Sequence, residues 1–233
     1  MIFSLGRSGS HLLADLLNAQ TTIHCDDELF NVDRWQSQIR RRLLPVYRRY
    51  PMWYVSYRQQ AIRDRPSISG YGFMLKLGEI DGPAKFFRKL HDADWHILHL
   101  QRQSVFAQTV SHFVARQSGR WNSRLDDPDP EFGRFTVAPE DFLQLFKNKQ
   151  RRIRECHDLI GNLPHLTLTY EQDLQSSDQW QGTVARVCDY LRLETPSLPA
   201  VSTLRTTWRQ PYRELIDNYD ELLEVARQQG ESV

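Results

Sequence analysis

The chain has 233 residues, 40% of them hydrophobic and a quarter charged, with Lys+Arg 30 against Asp+Glu 29. Ordinary globular composition and length suit one domain with insertions, and a net charge of +1 excludes a surface built to track nucleic-acid phosphates along its length. Three scattered cysteines, Cys25, Cys156 and Cys188, form no CxxC pair and so exclude a disulfide framework, and no apolar run approaches the roughly 18–20 residues of a bilayer span.

Four short apolar runs read as strands, at residues 2–5, 71–77, 95–100 and 166–170. Each is bounded by polar or turn residues, as buried strands of a parallel sheet are. Between them lie helical patterns. Leu12, Leu13, Leu16 and Leu17 mark one apolar stripe, and Pro83 opens a helix over 83–90. The stretch 104–118 has Ser104 as a candidate N-cap and Gly119 where a C′ glycine belongs. Further helices are predicted over 139–160, 179–191 and 212–228. Alternating strands and helices predict an α/β fold: a three-layer, P-loop-like domain with a central parallel sheet of about four to five strands. Sites on such sheets sit at the carboxyl edge of the strands.

Two stretches interrupt the alternation. Residues 31–66 are rich in Arg, Tyr and Trp and read either as a solvated amphipathic helix pair or as a substrate wall. Residues 120–138 carry Asp-Pro pairs and are expected to be loop.

At the N-terminus an apolar start runs into Gly6-Arg7-Ser8-Gly9-Ser10-His11 and then a helix. A strand, a Gly/Ser turn and a helix start make an anion site. The first helical N–H groups lack internal partners, the helix dipole adds partial positive charge, and glycines let backbone approach phosphate oxygens. The loop lacks the Gly-Lys-Ser/Thr of a Walker A motif. A second anion signal follows the third predicted strand: Arg102, then Ser111 two turns along the next helix, about 10 Å from its start at 1.5 Å per residue.

Together these segments resemble the sulfotransferases that use 3′-phosphoadenosine-5′-phosphosulfate. "GRSGSHLL" is similar to their 5′-phosphosulfate loop, and Arg102 with Ser111 to their 3′-phosphate motif. The likeness extends to the bacterial trehalose-sulfotransferase-like and nodulation-type carbohydrate branch. It rests there on Gln108, Val110, Ser111 and the run Gln117-Ser118-Gly119-Arg120-Trp121, on Glu28-Leu29-Phe30-Asn31, and on "RELIDNYDEL" from Arg213.

The resemblance implies the donor, its product adenosine 3′,5′-bisphosphate, and no metal; the sequence itself shows no ligand cluster at metal spacing. It implies that Gly6, Arg7, Ser8, Gly9, Ser10 and His11 hold the 5′ end. Arg102, Ser111 and either Arg205 or Arg209 hold the 3′-phosphate, with Trp208 available to stack on adenine. Where many members carry a lysine in the loop, this chain has Arg7, which suits charge stabilisation rather than acid catalysis. Lys76, closing the second predicted strand, is a further candidate at the same edge. On residues alone, Asp26-Asp27-Glu28 reads as an acidic turn or a helix start; the resemblance makes Glu28 the base, with Asp26 or Asp27 as substitutes and His11 and His24 ranked lower. The acceptor it implies is a carbohydrate or a small hydroxylated metabolite. Arginines of 34–65 suit an anionic acceptor, and Trp35, Trp53, Tyr54 and Tyr57 suit sugar faces.

Three other readings stand beside this one. A P-loop-type kinase would use the acids of "LTLTYEQD" for magnesium, a non-catalytic nucleotide-binding protein would keep only the pocket, and the aromatic insertion would bind nucleic acid or a protein partner, a second copy included. The expected location is cytoplasmic, without membrane contact.

Overall fold

A computed structural model describes residues 1–20, 22–31, 38–65, 67–128, 133–205 and 211–230. In chain order the elements are β1 (Ile2–Ser4), α1 (Ser10–Gln20), β2 (Ile23–Glu28), α2 (Gln38–Arg49), α3 (Pro51–Arg63), β3 (Gly70–Lys76), α4 (Pro83–Asp92) and β4 (Ile97–Gln101). They continue with α5 (Val105–Ser118), β5 (Ser123–Arg124), α6 (Pro139–Ile160), β6 (His165–Thr169), α7 (Tyr170–Asp173), α8 (Ser177–Leu191), β7 (Leu204–Arg205), α9 (Tyr212–Leu215) and α10 (Tyr219–Arg227). Two compact units result: Met1–Gln101 with Cys156–Ser202, and Arg102–Glu155 with Thr203–Val233. Among the described residues no helix is long and apolar enough to cross a membrane.

The first unit is an α/β layer structure around a five-stranded, all-parallel sheet in the order β2-β3-β1-β4-β6. Strand alternation sends Ile2, Met74, Leu98 and Leu100 to one face, where they join Leu13, Leu16 and Leu17 of α1 and Val184 and Val187 of α8. The opposite face carries the aromatic residues. Phe3 meets Phe87 of α4 edge-on at 4.7 Å, and Phe73 lies 6.4 Å from Phe86. Each such buried side chain is worth roughly 2 kcal/mol, so the two faces together fix which way every strand lies. His99 of β4 is also buried on this face, ringed by His157 and His165; burial, then those two neighbours, push its pKa down to about 4.

Four strands fall where apolar runs predict them. The fifth, β2, has the sequence IHCDDE and was expected as a turn or helix start. It is a strand because Ile23 and Cys25 alternate into the α1 face while His24 and Asp26 take the other. The insertion at 31–66 contains a helix pair, α2 and α3, with Tyr47 stacked on Tyr54 at 4.2 Å; Arg34 and Trp35 lie outside the described residues.

The second unit is helical. Ser104 caps α5 by accepting the N–H of Ala107 at 3.0 Å, and Gly119 closes it with φ 68°, as the sequence predicts. Phe106, Val110 and Val114 of α5 pack with Phe142 and Phe146 of α6 and Leu222 of α10. Two expectations need correction. The predicted helix over 212–228 is two pieces, because Ile216 leaves helical geometry to pair with Phe135; the N–H of Phe135 reaches the carbonyl of Leu215 at 3.1 Å. The predicted loop over 120–138 accordingly holds that bridge and β5, which pairs antiparallel with β7.

Candidate active site

The carboxyl edge of the first unit's sheet gathers Ser4, Glu28 and Lys76 at the ends of β1, β2 and β3. The strand order reverses across β1, the place where open α/β sheets bind ligands.

Residues 5–9 join β1 to α1. Arg7 has φ 67° and Gly9 φ 90°, so the loop folds back twice on left-handed backbone. Successive turns of this kind curl N–H groups into an anion-binding concavity. At Gly9 only glycine fits: a Cβ there would lie 2.6 Å from the ring of Tyr170. Ser8 and Ser10 are buried, and the carbonyl of Gly9 accepts the Leu13 N–H at 3.1 Å, starting the helix. The sequence-predicted loop residues Gly6, Arg7, Ser8, Gly9, Ser10 and His11 are therefore consecutive positions on one strand-to-helix turn.

Glu28 reaches this site through a bulge. In β2 Asp26 stands opposite Phe73 and Glu28 opposite Met74, so Asp27 is an extra residue. Without it, alternation would send Glu28 to the same face as Asp26. With it, Glu28 joins Met74 and Lys76 on the α1 face. Its side chain is 3% exposed; Oε1 accepts from the Lys76 ammonium and Oε2 from the Asn31 amide. Nε2 of His11 lies 3.7 Å from Oε1 of Glu28 and 3.1 Å from Oδ1 of Asp27. Burial lowers the pKa of Lys76, with Arg7 acting the same way and Glu79 and Asp27 opposing. Burial raises that of Glu79, whose carboxylate accepts the Lys76 N–H at 2.8 Å.

The structure thus brings together Arg7, His11, Asp27, Glu28, Asn31 and Lys76, and adds Glu79, which sequence reasoning did not name. It also corrects the statement that no cluster has metal spacing: single ligand atoms of His11, Asp27 and Glu28 lie within 4.8 Å of one another. The cation seated on Glu28 is the Lys76 ammonium, and with Arg7 beside it the surroundings favour an anion.

Asp26, a possible substitute base, is committed elsewhere. Arg58 of α3 holds both its oxygens at 2.9 Å, Tyr71 donates at 2.9 Å, and His24 sits at 3.1 Å. Burial alone would raise its pKa, but these hydrogen bonds and the Arg58 charge outweigh burial and hold it below the usual carboxylate value. The joint between α2 and α3 stands near the site: Arg48 donates to the Phe30 carbonyl at 3.0 Å, two residues past Glu28, while Trp53 and Tyr57 are exposed.

The other predicted residues belong to other elements or are not described. In the second unit, Arg102 precedes α5 and Ser111 is buried on it. Arg205 is the last residue of β7; Trp208 and Arg209 lie outside the described residues. The acids proposed for magnesium include Asp173, which is buried, accepts the Thr169 N–H at 2.6 Å and pairs with Arg186. Those contacts make it a structural cap of α7.

Comparison with solved structures decides the fold. A crystal structure of a sulfotransferase from Alicyclobacillus acidocaldarius superposes over 100% of this chain and 96% of that chain, with a TM-score of 0.51 and 12% sequence identity. The fold is that of a sulfotransferase. No family model matches the sequence, and no curated protein matches it. At 12% identity the likeness speaks for the sulfotransferase fold alone, and the chemistry must be argued from the side chains.

Proposed function

We propose that the chain is a sulfotransferase that moves the sulfuryl group of 3′-phosphoadenosine-5′-phosphosulfate to a hydroxyl of a carbohydrate or small metabolite. The observation that carries this reading is a buried carboxylate, Glu28, held by Lys76 beside an anion-shaped loop containing Arg7. Sulfuryl transfer asks for these parts. The acceptor O–H gives its proton to Glu28 as the new O–S bond forms. The bond from sulfur to the bridging oxygen breaks, and its electron pair stays on the 5′-phosphate. Arg7, the first amides of α1 and Lys76 stabilise that growing charge. Arg102 and Ser111, with Arg205 or Arg209, are assigned the 3′-phosphate by sequence resemblance. The exposed Trp53 and Tyr57 offer flat faces to a sugar ring, and Arg48 places their helices beside Phe30.

Calorimetric titration with adenosine 3′,5′-bisphosphate in chelator is the test. Binding without metal is expected, weakened about tenfold or more in Arg102→Ala, as befits a lost charged hydrogen bond. Labelled donor is then offered to a panel of mono- and disaccharides. Failure to bind the bisphosphate, or magnesium-dependent turnover of ATP, overturns the reading.

A further inference from the structure

The geometry points to a proton exit: we propose that His11 and Asp27 carry the proton taken up by Glu28 out to solvent. The inference rests on the sulfuryl-transfer reading and extends it.

Glu28 is nearly closed off from water, so a proton it receives needs a route out before the next turnover. Lys76 and Asn31 donate to it, and a charged ammonium or an amide cannot relieve it of a proton. An imidazole can, because it both takes and gives protons near neutrality. His11 offers one nitrogen, Nε2, to both carboxylates, at 3.7 Å from Glu28 and 3.1 Å from Asp27. Exposure rises along the series, from 3% at Glu28 to 19% at His11 and 43% at Asp27.

The arrangement is a product of the bulge. In a regular strand, successive residues point to opposite faces, and one imidazole could not meet the carboxylates of residues 27 and 28. The extra residue in β2 allows both, and the Glu28 N–H donates to Oδ1 of Asp27 at 2.8 Å, fixing the outer acid.

The proton balance closes. Glu28 holds one proton after transfer. Facing an ionised Asp27 at 3.1 Å, Nε2 starts as an N–H of the imidazolium and gives that proton to Asp27, which releases it to water. The freed lone pair of Nε2 then takes the proton from Oε1, restoring Glu28 as a carboxylate and the ring as imidazolium. The longer gap closes with a shift of about 0.5–1 Å, ordinary when a site tightens on its substrate. Lys76, seated on the same Glu28 oxygen, repels the imidazolium and favours its onward discharge; Asp27 and Glu28 on β2 are the acids that face the ring.

The test needs no identified acceptor, because water can serve as the nucleophile. Donor hydrolysis to the bisphosphate and sulfate is measured for the wild type, His11→Asn and Asp27→Asn, in dilute and concentrated imidazole buffer. Expected is a kcat about 10–100-fold lower in His11→Asn, recovering as imidazole rises, with an unchanged KM for donor because the substitution keeps the backbone N–H that position 11 offers to the 5′ end. Asp27→Asn shows a smaller loss with the same recovery and, being half-exposed, serves where the first variant folds poorly. Glu28→Gln is not rescued by imidazole. A loss that imidazole does not restore, a raised KM, or no loss overturns the relay alone. No hydrolysis or transfer by the wild type overturns the sulfuryl-transfer reading, and the relay with it.

Discussion

Asp26 and Glu28 stand two residues apart at the end of β2, both largely buried and both facing a cation, yet their surroundings differ in kind. Asp26 receives a planar guanidinium through two hydrogen bonds of 2.9 Å, plus a tyrosine hydroxyl. Every strong direction is taken, the partner cannot deprotonate, and the charge is permanent. Glu28 receives an ammonium whose pKa burial lowers, a side-chain amide, and an imidazole just beyond hydrogen-bond length. Of these the imidazole is the partner able to exchange a proton. The first carboxylate ties α3 to the sheet; the second is the one to which we assign the acceptor's proton. What separates them is the bulge at Asp27, which turns Glu28 to the opposite face.

Exchanging the charges one at a time tests this contrast. The largest effect is expected in Glu28→Gln: turnover falls about 10²–10⁴-fold, while bisphosphate binding by calorimetry stays within a few-fold. Equal loss of binding would make Glu28 part of the donor pocket. Asp26→Asn comes next and acts on stability, by about 2 kcal/mol in a chemical denaturation curve, because Arg58 is left with a half-buried charge. Turnover per folded molecule is retained; a selective loss of turnover would break the contrast.

The smallest effect is a pH signature of the same pair. The folded-state pKa of Asp26 lies below its unfolded value. Its stabilisation is therefore fully present above the unfolded value of about 3.9 and disappears as pH falls through the folded one. The Tm difference between wild type and Asp26→Asn should be constant from neutrality to about pH 5 and shrink below about pH 4. A difference that grows on acidification would show the aspartate protonated in the fold.

This contrast was only half legible in the sequence. β1, β3 and β4 announce themselves as apolar runs because both their faces are largely covered, and β6, an edge strand buried fully only at Leu168, still shows its leucines. β2 does not, since three of its six residues are acids and its outward positions are filled by charges neutralised from afar. Arg58 is 32 residues from Asp26 and Lys76 is 48 from Glu28, distances that no local pattern spans. The glycine loop was readable because its chemistry is local: a turn, a helix start and glycines at fixed offsets. The break between α9 and α10 was hidden for the opposite reason, as the residues flanking Ile216 bond to Phe135, some eighty positions earlier.

One residue in that loop has a consequence for anyone engineering the protein. Arg7 holds a backbone angle of 67°, which disfavours any L-residue by roughly 1 kcal/mol and suits glycine well. Selection for heat tolerance alone would therefore drift toward glycine at position 7 and discard the guanidinium. A sturdier molecule with a poorer grip on anions is the outcome to watch for in such a library.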